Sequence, residues 1–270
     1  MTRSVESRRV VHAGAALFAA VLLAGVSACG QTSDAVEIDG DDIGGVVSGP
    51  DGPEAGVWVI AETMDLPTRF NRTVVTDDQG RYLIPDLPDA TYDIWVRGYG
   101  LVDSRKIRTT PGSSEDLTAV VAPDPHAAAQ YYPAAYWFSL IEVPEKNEFP
   151  GTGPQGNGIS PSIGSQSAFV RSLKSGGCMA CHQLGGKATR EIPEALGEFA
   201  STSDAWARRI QSGQAGGSMV GGLNRLGTSR ALEMFADWTD RIAAGEVPPV
   251  PPRPQGEERN VVITQWDWAD

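Results

Sequence analysis

The sequence predicts a multidomain chain in which an antiparallel β-sandwich is followed by an all-α domain. Residues 43–123 contain short runs of alternating apolar and polar residues, with turn residues about every ten positions and no helical period. Residues 165–247 instead carry apolar residues at the spacing of amphipathic helices. Residues 151–164, rich in glycine, proline and serine, separate the two patterns and are predicted to form a loop.

Residues 1–28 have the pattern of an export signal. Three arginines precede an apolar run at residues 13–26, which is too short to span a membrane as a helix. The run ends in Val-Ser-Ala before Cys29, a sequence that resembles a bacterial lipobox. We therefore expect cleavage before Cys29 and attachment of lipid to its thiol. The alternative is an ordinary export signal that happens to contain a cysteine.

The chain is acidic, with 22 basic and 34 acidic residues and a formal net charge of −12. Residues 1–28 contain three arginines and one glutamate, so their removal would leave −12 − 2 = −14. This acidity argues against binding to nucleic acid or to an anionic membrane surface, and it would steer a basic partner protein toward the chain. Residues 29–42 are polar and acidic and are predicted to form a flexible tether.

Residues 43–123 are predicted to form the sandwich, and residues 57–61 and 92–97 are its clearest strands. The pattern Thr-Asp-x-x-Gly-x-Tyr at residues 76–82 resembles the carboxypeptidase regulatory-like domains, which have a transthyretin-like or immunoglobulin-like sandwich. That resemblance implies a non-catalytic spacer or docking domain. Carbohydrate binding is the alternative, although aromatic residues in strands are more often core residues. The candidate stacking residues are Trp58, Tyr82, Tyr92 and Trp95.

The helical part contains Cys178-Met179-Ala180-Cys181-His182, a C-x-x-C-H pentapeptide. Two thiols at this spacing can each add to a vinyl group of haem, and the adjacent histidine can ligate the iron. Zinc is disfavoured because no fourth cysteine or histidine is near in the sequence, and a redox dithiol would require a βαβ context. The three cysteines of the chain are then assigned, one to lipid and two to haem.

The order of helix, C-x-x-C-H, loop, helix, methionine loop and terminal helix resembles the class I cytochromes c. The resemblance implies one covalent haem c, with His182 as the proximal ligand and the Pro193 carbonyl as the acceptor for the free N–H of that histidine. We expect Met219, in a glycine-rich loop, to be the distal ligand. His126 and an open or water-bound position remain alternatives. The other methionines considered are less suited by position: Met64, Met179 and Met234.

Two further segments complete the predicted organisation around the cytochrome c domain at residues 165–247. Residues 124–164 form a connector, aromatic at first and then rich in glycine and proline. Residues 248–270 form a proline-rich tail that ends in a β-strand. This strand either adds to the sandwich or begins a further domain, because longer relatives resembling this arrangement continue into a β-propeller.

The predicted function is one-electron transfer by a mono-haem c-type cytochrome anchored through Cys29 in the periplasm or cell envelope, with a redox protein as donor or acceptor. We do not expect the chain itself to be an enzyme, since it has no G-x-S-x-G, H-E-x-x-H or phosphate loop. One alternative is an envelope lipoprotein that binds carbohydrate or protein and carries an auxiliary haem. Another is the N-terminal electron-transfer part of a larger propeller-containing oxidoreductase.

Overall fold

The computed structural model describes residues 36–175, 179 and 184–267. The predicted leader, Cys29, Cys178, Cys181 and His182 therefore lie outside the described residues.

β-Strands occupy residues 43–121, and one more strand lies near the C-terminus. They are β1 (Ile43–Gly49), β2 (Gly52–Pro53), β3 (Trp58–Thr63), β4 (Phe70–Val75), β5 (Arg81–Ile84), β6 (Tyr92–Arg97), β7 (Leu101–Val102), β8 (Ile107–Thr109), β9 (Ser113–Ser114), β10 (Leu117–Thr118), β11 (Val120–Val121) and β12 (Ile263–Trp266).

Helices occupy most of the described chain between residues 125 and 243. The α-helices are α1 (Pro125–Ala129), α2 (Ala134–Phe138), α3 (Gln166–Lys174), α4 (Lys187–Arg190), α5 (Thr202–Arg209), α6 (Gly216–Leu226) and α7 (Thr228–Ala243). Single turns of 3-10 helix lie at Lys146–Glu148, Glu194–Leu196 and Gly256–Asn260. Of the helices described, none combines the length and the apolar character needed to cross a membrane.

Two sheets enclose the core of the β part. The first has the strand order β12-β4-β3-β6-β8, and all its neighbouring pairs are antiparallel. The second is built around β1, which pairs antiparallel with β2 and β5 and parallel with β9 and β10. Strands β7 and β11 form a separate antiparallel pair. The buried residues of both sheets belong to one hydrophobic cluster, which includes Ile43, Val59, Ile84 and Ile94.

Two tyrosines proposed above as stacking residues belong to this core. Tyr82 and Tyr92 are 2% and 0% exposed, so their rings are not available to a ligand. The Tyr82 hydroxyl donates to the Glu115 carbonyl at 2.6 Å, and the Tyr92 hydroxyl donates to the Pro88 carbonyl at 2.9 Å. Because their hydroxyls are satisfied by backbone acceptors, both residues can be buried at little polar cost.

The predicted fold class is wrong, both for the sheet and for the helical part. The sandwich is not wholly antiparallel, because β1 makes two parallel pairings. The helical part is not a clear all-α cytochrome c domain: about 31% of the described residues are helical and 20% are in strands, and a strand, β12, follows the last α-helix. The connector helices α1 and α2 contribute Ala129 and Trp137 to the helical core, and β12 pairs with β4 after the last helix. These are contacts between distant segments, which local periodicity does not report.

Candidate functional site

The predicted methionine loop is a helix. Residues 216–226 form α6, although they include four glycines. Met219, Leu223 and Leu226 repeat at helical spacing and pack against the helical core. This burial outweighs the low helix propensity of glycine, which was the reason for predicting a loop.

Met219 lines an apolar cavity of about 280 Å³ between α4, α5, α6, α7 and Leu184. The walls are mainly hydrocarbon and aromatic, and they include Leu184, Trp206, Ile210, Leu223 and Phe235. Pockets with this character bind largely apolar groups, and a few polar side chains fix the orientation of the ligand. Met219 is half-buried there, so its thioether is one of the few soft donors that the cavity offers.

Helices α5 and α7 hold the aromatic wall of the cavity. The rings of Trp206 and Phe235 stack with centroids 4.8 Å apart. Trp206 Nε1 donates to Thr239 Oγ1 at 3.1 Å, and this hydroxyl donates to the Phe235 carbonyl at 3.0 Å. Ser201 caps the N-terminus of α5, and its hydroxyl accepts from the Asp204 amide at 3.1 Å. These bonds fix the position of the indole that faces the cavity.

The segment after the pentapeptide is held by short-range hydrogen bonds. The Gly185 amide donates to Thr189 Oγ1 at 3.0 Å, and that hydroxyl donates to the Gly186 carbonyl at 2.8 Å. Gly185 has φ +96°, and a Cβ there would overlap the Ala134 carbonyl oxygen. Only glycine allows this close approach to α2, so the residue fixes the loop that carries Leu184 into the cavity wall.

Two arginines flank this loop and donate to backbone carbonyls. The Arg190 side chain is 5% exposed, donates to the Gly185 carbonyl at 2.9 Å, and lies 4.1 Å from the centroid of Trp137. Arg209 donates to the carbonyls of Glu191 at 2.8 Å and Thr189 at 3.3 Å, and also to that of Ala188. Burial lowers the pKa of both guanidinium groups from the usual arginine range. For Arg190, attraction by the Glu191 carboxylate opposes this lowering in part.

The other predicted ligands lie elsewhere. Met234 is 4% exposed on the buried face of α7, and Met64 is 70% exposed near the end of β3. Met179, within the pentapeptide, packs against the helical core. His126 is exposed on α1. Of these residues and Met219, only Met219 lines the cavity.

Pro193, the predicted acceptor for the proximal histidine, is exposed at the start of a 3-10 turn. Its carbonyl accepts from the Leu196 amide at 3.0 Å. The histidine lies outside the described residues, so the predicted bond between them stays a prediction.

Sequence reasoning missed the two arginines. Arg190 and Arg209 follow polar or charged neighbours, which is the pattern of a solvated surface. Arg190 is buried by its contact with α2, and Arg209 is half-buried by its contacts with α4, about 20 residues away; the sequence displays neither contact. The only local signal is that Arg209 lies three residues after Trp206, on the same face of α5.

Comparisons with known proteins do not identify a family. No family model and no curated protein matches the chain. Two solved structures with local similarity are interface mutants of a type II cohesin–X-dockerin complex from Acetivibrio cellulolyticus. Each is 19% identical over 29% of this chain and 53% of the other, with TM-scores of 0.22 and 0.21. The chain thus spans about half the length of those chains, and similarity at this level carries no conclusion about fold, ligand or partner.

Proposed function

We propose that this chain is a c-type haem protein that transfers single electrons at the cell envelope. One haem would be bonded through the thiols of Cys178 and Cys181, with His182 as a ligand of its iron. When bound, the haem supplies an iron couple that accepts and donates one electron. The observation that carries the proposal is the location of an apolar cavity containing Met219: Leu184, two residues after His182 in the sequence, forms part of its wall.

The side chains around the cavity fit such a group. Leucine, isoleucine and aromatic side chains provide walls that would exclude water from a porphyrin. The thioether of Met219 is a neutral, soft donor of the kind that ligates haem iron opposite a histidine. Exclusion of water and thioether ligation both raise the reduction potential of haem, so these residues would set the potential.

Arg190 and Arg209 are suited to hold the two carboxylates of a haem. A guanidinium removed from water without a counter-charge carries a desolvation cost that an anionic group offsets. Arg209 meets this condition among the described residues, whereas Arg190 is also attracted by the Glu191 carboxylate; both arginines adjoin the loop that follows the pentapeptide. Neither residue requires the haem in order to be positioned, because backbone carbonyls already accept from each.

The location and partners of the protein rest on its sequence. The lipobox-like segment before Cys29 would place the chain in the periplasm or cell envelope, anchored through lipid on that cysteine. Its negative charge would favour encounter with a basic redox protein as donor or acceptor. We propose electron transfer without a catalytic site of its own.

The test is expression of the full chain with a haem-maturation system, followed by a pyridine haemochrome spectrum and the intact mass. We expect a covalent haem that is lost when Cys178 and Cys181 are both replaced by alanine. Met219→Ala should lower the reduction potential and allow an added ligand such as imidazole to bind the iron, whereas Met64→Ala, at an exposed methionine, should change neither. A bare polypeptide mass would overturn the proposal. If the haem of Met219→Ala had the same reduction potential as that of the parent chain, only the assignment of Met219 as a ligand would be overturned.

A further inference from the structure

We propose that the outer face of the five-stranded sheet binds a neutral oligosaccharide. A groove of about 440 Å³ crosses β6, β3, β4 and β12 on this face. It meets a second hollow of about 480 Å³ at β4 and β12, and the two share Arg69, Asn71 and Gln265. These volumes are in the range of small-molecule sites, about 300–1,000 Å³. The proposal uses none of the residues assigned to haem.

The strand register explains why the groove residues face the same way. In β3, Trp58, Ile60 and Glu62 alternate with Val59 and Ala61, both of which are fully buried in the core. Pairing continues this outer face across the sheet: Ile60 lies opposite Trp95 and Thr73, Glu62 lies opposite Asn71, and Asn71 lies opposite Gln265.

Two buried polar atoms in the groove have no hydrogen-bond partner among the described residues. One is Nε1 of Trp95, a residue that is 5% exposed, and the other is Oδ1 of Asn71. The Asn71 amide nitrogen is already used, because it donates to Gln265 Oε1 at 3.1 Å. Buried polar groups are nearly always paired, so the unpaired donor and the unpaired acceptor lining this groove are the two groups that we assign to a ligand.

The charges in the groove favour a neutral ligand. Glu62 is paired with Arg69 at 2.5 Å and with Lys106 at 3.3 Å, and Arg97 is paired with Asp103 at 2.6 Å. Burial raises the pKa of Glu62, but its bonds to Arg69 and Lys106 outweigh this and lower the pKa overall. Each of these charged side chains therefore has a counter-charge, and none of the three cations is left unpaired to attract an anionic ligand.

The aromatic residues supply surface for the apolar faces of sugar rings. Trp58 is half-buried in the groove and is held by an edge-on contact with Tyr99, with centroids 4.8 Å apart. Tyr131 also lines the groove, and the Arg97 guanidinium lies 4.9 Å from its centroid. Because the guanidinium lies over one face of Tyr131, Trp58 is the ring that we assign to stacking against the C–H face of a sugar.

A saccharide fits this face better than a peptide does. The backbone groups of β3, β4 and β6 are consumed within the sheet, so the groove offers side chains only. An extended peptide that adds to a sheet needs the backbone of an edge strand, here β8 or β12, whereas the unpaired atoms lie on the inner strands β6 and β4. A hydroxyl both donates and accepts, so it satisfies Trp95 Nε1 and Asn71 Oδ1 alike. Their backbones are separated by roughly 12 Å at ordinary sheet spacings, more than one pyranose ring reaches, which favours at least two sugar units.

The test is calorimetric titration of the full chain with cello-, xylo-, manno- and malto-hexaose. We expect at least one to bind with a dissociation constant in the micromolar to low millimolar range. Asn71→Ala should weaken that binding about tenfold, the effect of losing one hydrogen bond. The matched control is Gln79→Ala, which removes an amide from the Asp77–Gly80 turn outside the groove and should leave affinity within about twofold.

Trp58→Leu gives a second variant, because it removes the stacking surface without touching the two unpaired atoms. It should also weaken binding about tenfold or more. Circular dichroism of each variant identifies any that fails to fold. The proposal is overturned if none of the four hexaoses binds with a dissociation constant below about 10 mM, which corresponds to a binding free energy of about −2.7 kcal/mol. It is equally overturned if only an oligogalacturonate or a peptide binds, or if folded Asn71→Ala and Trp58→Leu both bind as the parent chain does.

Discussion

Replacing Thr239 by valine should destabilise the chain by about 2 kcal/mol. Valine has nearly the same shape as threonine, so no cavity forms and the change is confined to the hydroxyl. That hydroxyl accepts from Trp206 Nε1 at 3.1 Å, and both residues are 5% exposed. A buried donor without a partner costs about 1–3 kcal/mol, and no other acceptor among the described residues is bonded to this N–H. Because Thr239 also donates to backbone carbonyls in its own helix, which keep their helical bonds, the loss is confined to the indole.

The assay is equilibrium unfolding of the full chain in urea, with the midpoint and slope fitted for each variant. The matched control is Thr202→Val, which breaks a bond between the same two helices, from Thr202 Oγ1 to Asp240 Oδ1 at 2.7 Å, but at an exposed position. We expect a loss of less than about 0.5 kcal/mol there. If Thr239→Val costs no more than Thr202→Val, the bond does not hold Trp206 against the cavity and the account of the aromatic wall is wrong.

Two other changes follow from the backbone and from tyrosine burial. Gly185→Ala should destabilise the chain by about 2 kcal/mol or more in thermal unfolding, because φ at Gly185 is +96° and the Ala134 carbonyl leaves no room for a Cβ. The control is Gly217→Ala, which lies in α6 with open space around it and should instead stabilise the chain by up to about 1 kcal/mol. The opposite ranking of the two variants would refute this reasoning. Burial raises the pKa of Tyr92 to about 12, so its contribution to stability is complete below about pH 10 and is lost as pH rises toward 12. Tyr92→Phe should therefore reduce the alkaline slope of unfolding free energy by up to about 1.4 kcal/mol per pH unit, and an unchanged slope would show that Tyr92 ionises normally.

The strands of the sandwich were the most predictable part of the fold. Residues 92–97 were predicted as a strand and form β6, and residues 57–61 overlap β3. In both, alternate side chains enter one core, so the period is visible in a few consecutive residues. The parallel pairings of β1 were not predictable in this way, because Val47 meets Leu117 across 70 residues of chain.

The candidate site was only partly predictable. Met219 was selected for its sulfur, and the structure places it in an apolar cavity, but in a helix where a loop was predicted. The glycines around Met219 are typical of loops. The apolar face that includes Leu223 stabilises the helix only when it packs against the core, and the local sequence does not show that packing. Arg190 could not be predicted, since a buried arginine and a solvated one have the same sequence pattern, and for half-buried Arg209 the spacing from Trp206 was the only local signal.

The return of the chain to the sheet links the two parts physically. After α7, β12 covers the edge of β4 along Ile263–Trp266. Arg253 pairs with Glu54 at 2.5 Å and donates to the Tyr99 carbonyl at 3.1 Å. A β part separated from the C-terminal segment would expose the backbone of β4 and leave Glu54, whose side chain is 14% exposed, without this cation. The groove also takes Ile263 and Gln265 from β12, so its floor forms only when the segment after the helices is present. Binding on the sheet face therefore depends on the fold of the whole described chain, even though its ligand would not touch the cavity at Met219.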